Sequence, residues 1–241
     1  QTYKSIVAHT IEEAYEVADA AERGSLSELK DELGDLLFQV VFLARIAEER
    51  GEFDFNAICL ALVQKLIRRH PHVFAESETS NSANLDEQWE RIKAAERDLV
   101  AAQSPFSGIP IGLPSLSRAV KVQRRASRTG FDWNHVNQVL EKVSEEMDEL
   151  RAVLSEKTEN IEDVEAELGD VLFTWANVAR HLSIDPETAL RKAVNRFQER
   201  TTLALSMITE AGQTSVKLTP DELNNYWEAA KSSLSDPSKS Q

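Results

Sequence analysis

One pattern occurs twice in this chain, in the same order each time. Two acids three residues apart are followed by Glu-Leu-Gly-Asp at the head of a strongly apolar stretch. In the first half, Ile11-Glu12-Glu13-Ala14-Tyr15-Glu16 precedes Glu32-Leu33-Gly34-Asp35-Leu36-Leu37-Phe38. In the second, Ser144-Glu145-Glu146-Met147-Asp148-Glu149 precedes Glu167-Leu168-Gly169-Asp170-Val171-Leu172-Phe173. Further along, Lys65 and Arg69 answer to Arg196 and Arg200, and Trp89 with Lys93 answers to Trp227 with Lys231. An ordered set repeated at this distance is too long for a solenoid repeat and predicts two related domains. The length of 241 residues accommodates them.

Between the copies, residues 104–114 gather three of the seven prolines and two of the eight glycines. Helix and sheet interiors tolerate these residues poorly. The segment is predicted to be a linker between an N-terminal helical domain over 1–103 and a C-terminal one over 115–241. Nearly every other segment carries a helical period, and no alternating run bounded by turn residues reads as a strand. The expected fold class is therefore all-α, two tandem helical bundles.

Ser25-Leu26-Ser27-Glu28 fits a capping box at the head of one helix. Leu29, Leu33, Leu36, Leu37, Val40, Ala44 and Ala47 then form its apolar stripe. Phe38, Val41, Phe42 and Leu43 make that helix apolar nearly all round, as do Val171, Leu172, Phe173, Trp175, Ala176, Val178 and Ala179 in the second half. Such a helix must be covered on every side. A half this small supplies too few companions, so each bundle is expected to be completed by another subunit, as a homodimer or higher homo-oligomer, or by the sister domain. The alternative is a helix central to a monomeric bundle.

The net charge of −14 argues against a nucleic-acid polymer as partner, because binding a phosphate backbone rests on clustered Lys and Arg. Single nucleotides remain compatible, since a magnesium-bound triphosphate brings its own cation to an acidic site. No stretch is long and apolar enough to span a membrane. The single cysteine, Cys59 between Ile58 and Leu60, reads as a small buried apolar residue. With no internal disulfide possible and no signal peptide visible, a cytoplasmic setting is the expectation. Residues 76–84 and 232–241 read as a solvated loop and a frayed end. The chain starts at Gln1 rather than Met, so upstream residues are expected to be missing.

Residues three or four apart share one helix face, so Glu146 and Glu149 point the same way, as do Glu167 and Asp170. Two antiparallel helices would bring all four together. They border apolar positions (Val143, Met147 and Leu150; Leu168, Leu172 and Phe173), which places them partly inside the bundle. Clustered, partly buried carboxylates are unfavourable unless cations or protons neutralise them. Oxygen-only ligands favour Mg²⁺ or Mn²⁺. A solvated helix face is the plain reading of one such motif, but it does not account for the same successor helix twice. A di-iron bundle would need Glu-x-x-His pairs, which these motifs lack.

These motifs, the run Lys65-Leu66-Ile67-Arg68-Arg69-His70-Pro71-His72-Val73-Phe74 and Gly130-Phe131-Asp132-Trp133 together resemble the all-α nucleoside triphosphate pyrophosphohydrolases of the two-domain, MazG type. The resemblance covers essentially the whole chain. It implies Mg²⁺-dependent attack of water that splits an NTP or dNTP into monophosphate and pyrophosphate, with loose base selectivity. By motif it implies Glu146, Glu149, Glu167 and Asp170 as metal ligands and Glu145 as a candidate for positioning or deprotonating the water. Lys142, Arg196 and Arg200 resemble the phosphate-binding basic set, with solvated basic faces as the alternative for the two arginines. Trp227 and Lys231 match an aromatic-plus-lysine pair for base and phosphate, with a core aromatic as the alternative for Trp227.

The first half keeps Glu13, Glu16, Glu32 and Asp35 as a possible second metal site, but His9 stands where the second half has Lys142. The missing upstream residues are expected to include the counterpart of Phe131-Asp132-Trp133. Both points predict a weak or inactive first domain. His70 and His72 could be ligands, though a helix end at Pro71 is the simpler reading. A metal-binding interaction module without turnover is the alternative to an enzyme.

Overall fold

In the computed structural model, residues 2–70, 104–155 and 160–235 are described. Among them are eight α-helices, one short 3₁₀ turn and no strand, so the chain is all-α as its periodicity predicts. The chain divides into two units, Gln1–Ala102 and Gln103–Gln241.

In the first unit, α1 (Tyr3–Arg23) and α2 (Leu26–Glu49) form an antiparallel hairpin, and α3 (Phe55–Arg69) follows. Thr2 and Ser5 make the reciprocal bonds of a capping box at the start of α1. Gly24, at φ 73°, turns the chain between α1 and α2 in the left-handed region that glycine enters without steric cost. The Tyr3 hydroxyl donates to Glu52 at 2.6 Å, tying the start of α1 to the residues just beyond α2. Ala20, Ala44 and Ala47 are almost fully buried, so the two backbones approach closely at alanines.

The capping box expected at Ser25-Leu26-Ser27-Glu28 does not form. Ser25 is the N-cap residue but makes no side-chain cap bond. The Glu28 carboxylate, which should reach back to the cap, pairs with Arg23 at 2.7 Å instead. At the head of α3, Asp54 accepts from the Ala57 amide at 2.7 Å, a cap worth about 1 kcal/mol. Cys59 is exposed rather than buried, because α3 has no buried residue among its fifteen.

The second unit contains α4 (Ser115–Ser127), α5 (Val136–Ser155), α6 (Ile161–His181), α7 (Pro186–Glu210), the turn Ser215–Lys217 and α8 (Pro220–Ser235). Residues 104–114 fold back onto this unit, with Arg125 donating to the Pro105 carbonyl at 3.0 Å. Helices α5 and α6 pack antiparallel around Val139, Val143 and Val178, with Val136 and Met147 against them. α4 is fixed to α6 by the buried Gln123 side chain, which donates to the Phe173 carbonyl at 2.7 Å. α7 starts at Asp185, whose carboxylate caps Thr188, with Pro186 in the first turn, where its missing N–H costs nothing. Thr219 and Glu222 form the capping box of α8. α8 runs to Ser235, so Ser232–Ser235 are helical where the sequence suggested a frayed end.

Among the described residues, the two helices expected to be apolar all round, α2 and α6, keep large apolar side chains exposed, and so does α7. Leu37 and Phe38 on α2, Leu172 and Trp175 on α6 and Phe197 on α7 are each about half exposed. No helix among the described residues is long and apolar enough to cross a membrane.

Candidate metal and nucleotide site

Helix periodicity puts Glu146 and Glu149 on one face of α5, and the antiparallel pairing brings Glu167 of α6 to meet them. Each of the three offers a carboxylate oxygen, and these oxygens all lie within 4.8 Å of one another. Glu146 is 7% exposed. Asp170, one turn further along α6, is exposed and stands outside this trio. The first unit repeats the arrangement with Glu13, Glu16 and Glu32, again without the aspartate, Asp35.

Lys142 organises the second trio. Its ammonium lies 2.8 Å from Glu145 and 2.8 Å from Glu146. Its hydrogen bonds to both carboxylates raise the Lys142 pKa well above the usual lysine value, so the group stays a cation throughout the working range. Glu149 is raised from the ordinary glutamate value, first by loss of hydration and then by the charges of Glu146 and Glu167, with Lys142 opposing. Crowded carboxylate oxygens are a donor set that a metal cation relieves, so these residues fit a hard cation.

The first trio is held differently. His9 lies 3.6 Å from Glu12 and does not bridge to Glu13. Glu13 instead accepts from the Gln39 amide at 3.3 Å. Its pKa is raised by desolvation first, then by Glu16 and Asp35, with Gln39 opposing. Gln39 was not singled out from the sequence. A lone glutamine inside the apolar stripe of α2 is the signal that could have found it.

Arg196, Arg200, Trp227 and Lys231 lie on α7 and α8. The Phe197 ring is 5.4 Å from the Trp227 ring, and the Arg200 guanidinium sits 5.9 Å from the Trp227 centroid. Trp227 is half-buried and Arg196 exposed. Lys231 pairs with Glu228 at 3.4 Å. In the first unit Lys65 is exposed on α3 and Arg69 is its last residue. The counterparts Trp89 and Lys93, together with His72, lie outside the described residues. His70 ends α3 with Nδ1 3.0 Å from the Leu66 carbonyl oxygen, a helix-terminal contact that agrees with its reading as a helix end.

Asp132 of the Gly130-Phe131-Asp132-Trp133 run forms a clamp with the end of α6. Arg180 grips its carboxylate with both terminal nitrogens, one at 3.0 Å, and His181 lies 3.3 Å away. Asn177 holds Arg180 through Nε at 2.8 Å. Burial alone would raise the Asp132 pKa, but the hydrogen bonds and charge of Arg180 outweigh it and hold the group below the usual aspartate value.

A family model described as the MazG nucleotide pyrophosphohydrolase domain matches residues 1–74 and 134–203, one region in each half of the chain. The nucleoside triphosphate pyrophosphohydrolase of Escherichia coli strain K12 is 42% identical over 231 residues, covering 96% of this chain and 88% of the relative. A Thermotoga maritima protein named nucleoside triphosphate pyrophosphohydrolase/pyrophosphatase MazG is 40% identical over 231 residues, covering 96% and 87%. The Mycolicibacterium smegmatis nucleoside triphosphate pyrophosphohydrolase is 33% identical over 246 residues, covering 98% of this chain and 66% of the relative. With matches in both halves and such similarity along nearly the whole chain, the protein belongs to the MazG family.

Proposed function

We propose that this chain hydrolyses nucleoside triphosphates, ribo or deoxy, to monophosphate and pyrophosphate, and that the second unit carries the reaction. The observation that carries the reading is the trio Glu146, Glu149 and Glu167 converging beside a lysine that bridges two neighbouring acids. Glu146, Glu149 and Glu167, with Asp170 one turn along, would hold Mg²⁺, or Mn²⁺ in its place. When bound, the ion would offset charge on the triphosphate and lower the pKa of a coordinated water.

The chain's own residues then divide the remaining work. Lys142 holds the Glu146 carboxylate in place through a charge-assisted contact, stronger than a neutral one. Glu145, exposed and paired with Lys142, is the candidate to orient or deprotonate the attacking water. Arg196 and Arg200 place positive charge against the phosphoryl oxygens, where it counts most as the bond breaks. Trp227 offers a ring for the base, with Lys231 beside it. An aromatic face accepts any base, which suits a broad substrate range and a role in clearing unwanted nucleotides.

The uncovered apolar faces of α2, α6 and α7 support a homodimer or higher homo-oligomer. A cytoplasmic setting suits a chain whose lone Cys59 is an exposed thiol. The first unit, with His9 and Gln39 around its acids, is proposed as a weak or inactive copy. That copy also favours a second reading, a metal-binding interaction module without turnover.

Pyrophosphate release from an NTP with Mg²⁺ separates the two readings. Turnover that Glu149→Gln and Asp170→Asn both abolish is expected. Metal binding with no turnover by the parent chain would favour the module, and variants as fast as the parent would displace the site.

A further inference from the structure

We propose that Asp132, Arg180 and His181 are positioning residues that hold Phe131 and Trp133 as a second aromatic contact for the nucleotide, at the base end, besides that proposed for Trp227. The inference rests on the reading of α5 and α6 as the triphosphate site.

The clamp joins the run before α5 to the last turn of α6, at one end of the antiparallel pair. Arg180 and His181 keep only 11% and 13% of their side-chain surface exposed, and the two-pronged grip fixes the orientation of the Asp132 carboxylate as well as its position. That carboxylate also accepts from the Trp133 amide at 2.9 Å, so one group is bonded both to the end of α6 and to the loop backbone. The aromatic neighbours it holds are not core residues. Phe131 is 81% exposed and Trp133 is 40% exposed. A partly exposed, multiply bonded clamp set between two exposed aromatic residues stabilises no apolar core. It does fix a surface for a ligand with a flat apolar face.

The direction along the helices decides which part of a nucleotide would meet that surface. Lys142 lies one turn from Glu146 on the side toward the clamp, and from Val136 to Lys142 the helix rises about 9 Å, a span that a sugar and one phosphate cover. Phosphates anchored at Lys142 and the acid trio would therefore leave the base near residues 131–133. At the other end of the pair, residues 150–166 contain no aromatic side chain at all.

The test is steady-state hydrolysis of an NTP with Mg²⁺ by the full chain, alongside inhibition by inorganic tripolyphosphate, which carries the charges but no base. Asp132→Asn removes the charge that Arg180 holds, Arg180→Lys keeps a cation but loses the fork, and Trp133→Leu removes a ring directly. Each is expected to raise the nucleotide KM about tenfold, the scale of one lost base stack, with kcat within about threefold of the parent. Tripolyphosphate inhibition should stay unchanged, and Asp132→Glu should recover part of the KM. An unchanged nucleotide KM, or tripolyphosphate inhibition that weakens in step with it, overturns the proposal. If the clamp variants fail to fold, the exposed Trp133→Leu decides alone. A parent chain that turns over no NTP removes the underlying reading and this one with it, whereas an active parent with unaltered variants removes this one only.

Discussion

The two acidic trios of this chain are built from the same residue types on corresponding helix pairs, α1 with α2 and α5 with α6, yet they are held by different chemistry. In the second unit a lysine on α5 bridges Glu145 and Glu146 from the same helix. In the first, the histidine at that position reaches only Glu12, and a neutral amide from α2 takes hold of Glu13. Seven residues beyond Glu32 stands Gln39, and seven beyond Glu167 stands Thr174, whose single hydroxyl lies too close to its backbone to replace that amide. The two halves share these acids and differ in what surrounds them. A lysine ammonium favours the ionised carboxylate that a metal needs, whereas an amide bonds the acid without supplying charge.

If the comparison is right, removing a carboxylate should matter in one half only. Glu146→Gln or Glu149→Gln is expected to lower pyrophosphate release at least about a hundredfold, since even an outer partner of a catalytic metal can be worth that much. Glu13→Gln and Glu16→Gln should leave the rate within about twofold. Equal losses from both halves, measured as kcat/KM on the same nucleotide, would break the asymmetry.

The lysine itself is the next lever. Lys142→His imports the first unit's residue into the second and is expected to reduce kcat/KM by roughly one to two orders of magnitude, the scale of a lost electrostatic contact at a phosphoryl-transfer site. The reciprocal pair His9→Lys with Gln39→Thr should raise Mn²⁺ affinity in the first unit, read by titration in a chain whose second trio is disabled by Glu149→Gln. A first unit that still binds no better would show that the cation is not what separates the two trios.

How much of this was legible in the sequence follows from the range of each interaction. The pairing of Glu146 with Glu149 depends only on helical spacing, and the repeated Glu-Leu-Gly-Asp located the second helix, so the fold class and three of the four acids of each set follow from periodicity. The capping box at Ser25 fails because Arg23 competes for Glu28, and a four-residue pattern cannot show a rival partner. The apolar neighbours of Cys59 point to burial, but α3 carries apolar residues on faces that stay exposed. Gln39 and the Asp132 clamp were beyond reach for a different reason. Their partners lie 26 and 48 residues away, and only packing chooses them.

On the hairpin of α7 and α8 the expected effects are smaller. Trp227→Ala should raise the nucleotide KM about tenfold with little change in kcat, the cost of one lost stack. Trp227→Phe should recover most of it. Should Trp227→Ala instead destabilise the chain at unchanged KM, the ring is packing for Phe197 and Arg200 rather than a platform for substrate.

The smallest effect concerns pH, and its sign distinguishes proton from metal. Glu149 is raised above the ordinary glutamate value of 4.5, chiefly by loss of hydration. A carboxyl raised in the folded state adds stability that is fully present below its unfolded value and is lost as pH rises through the folded one. Without metal, acidification from neutrality toward that value should therefore add to the stability contributed by Glu149. With saturating Mg²⁺ the order should reverse, because the cation binds only the ionised acids and its stabilisation fades as protons compete. Asp132 does not confuse the window, since its pKa is lowered below the usual 3.8 and its contribution is lost only at still lower pH. Calorimetric melting of the parent and of Glu149→Gln, each in EDTA and in Mg²⁺, isolates the contribution as a difference of a few degrees at most. A parent and variant with the same pH dependence in both media would mean that Glu149 neither holds the proton nor yields it to the metal.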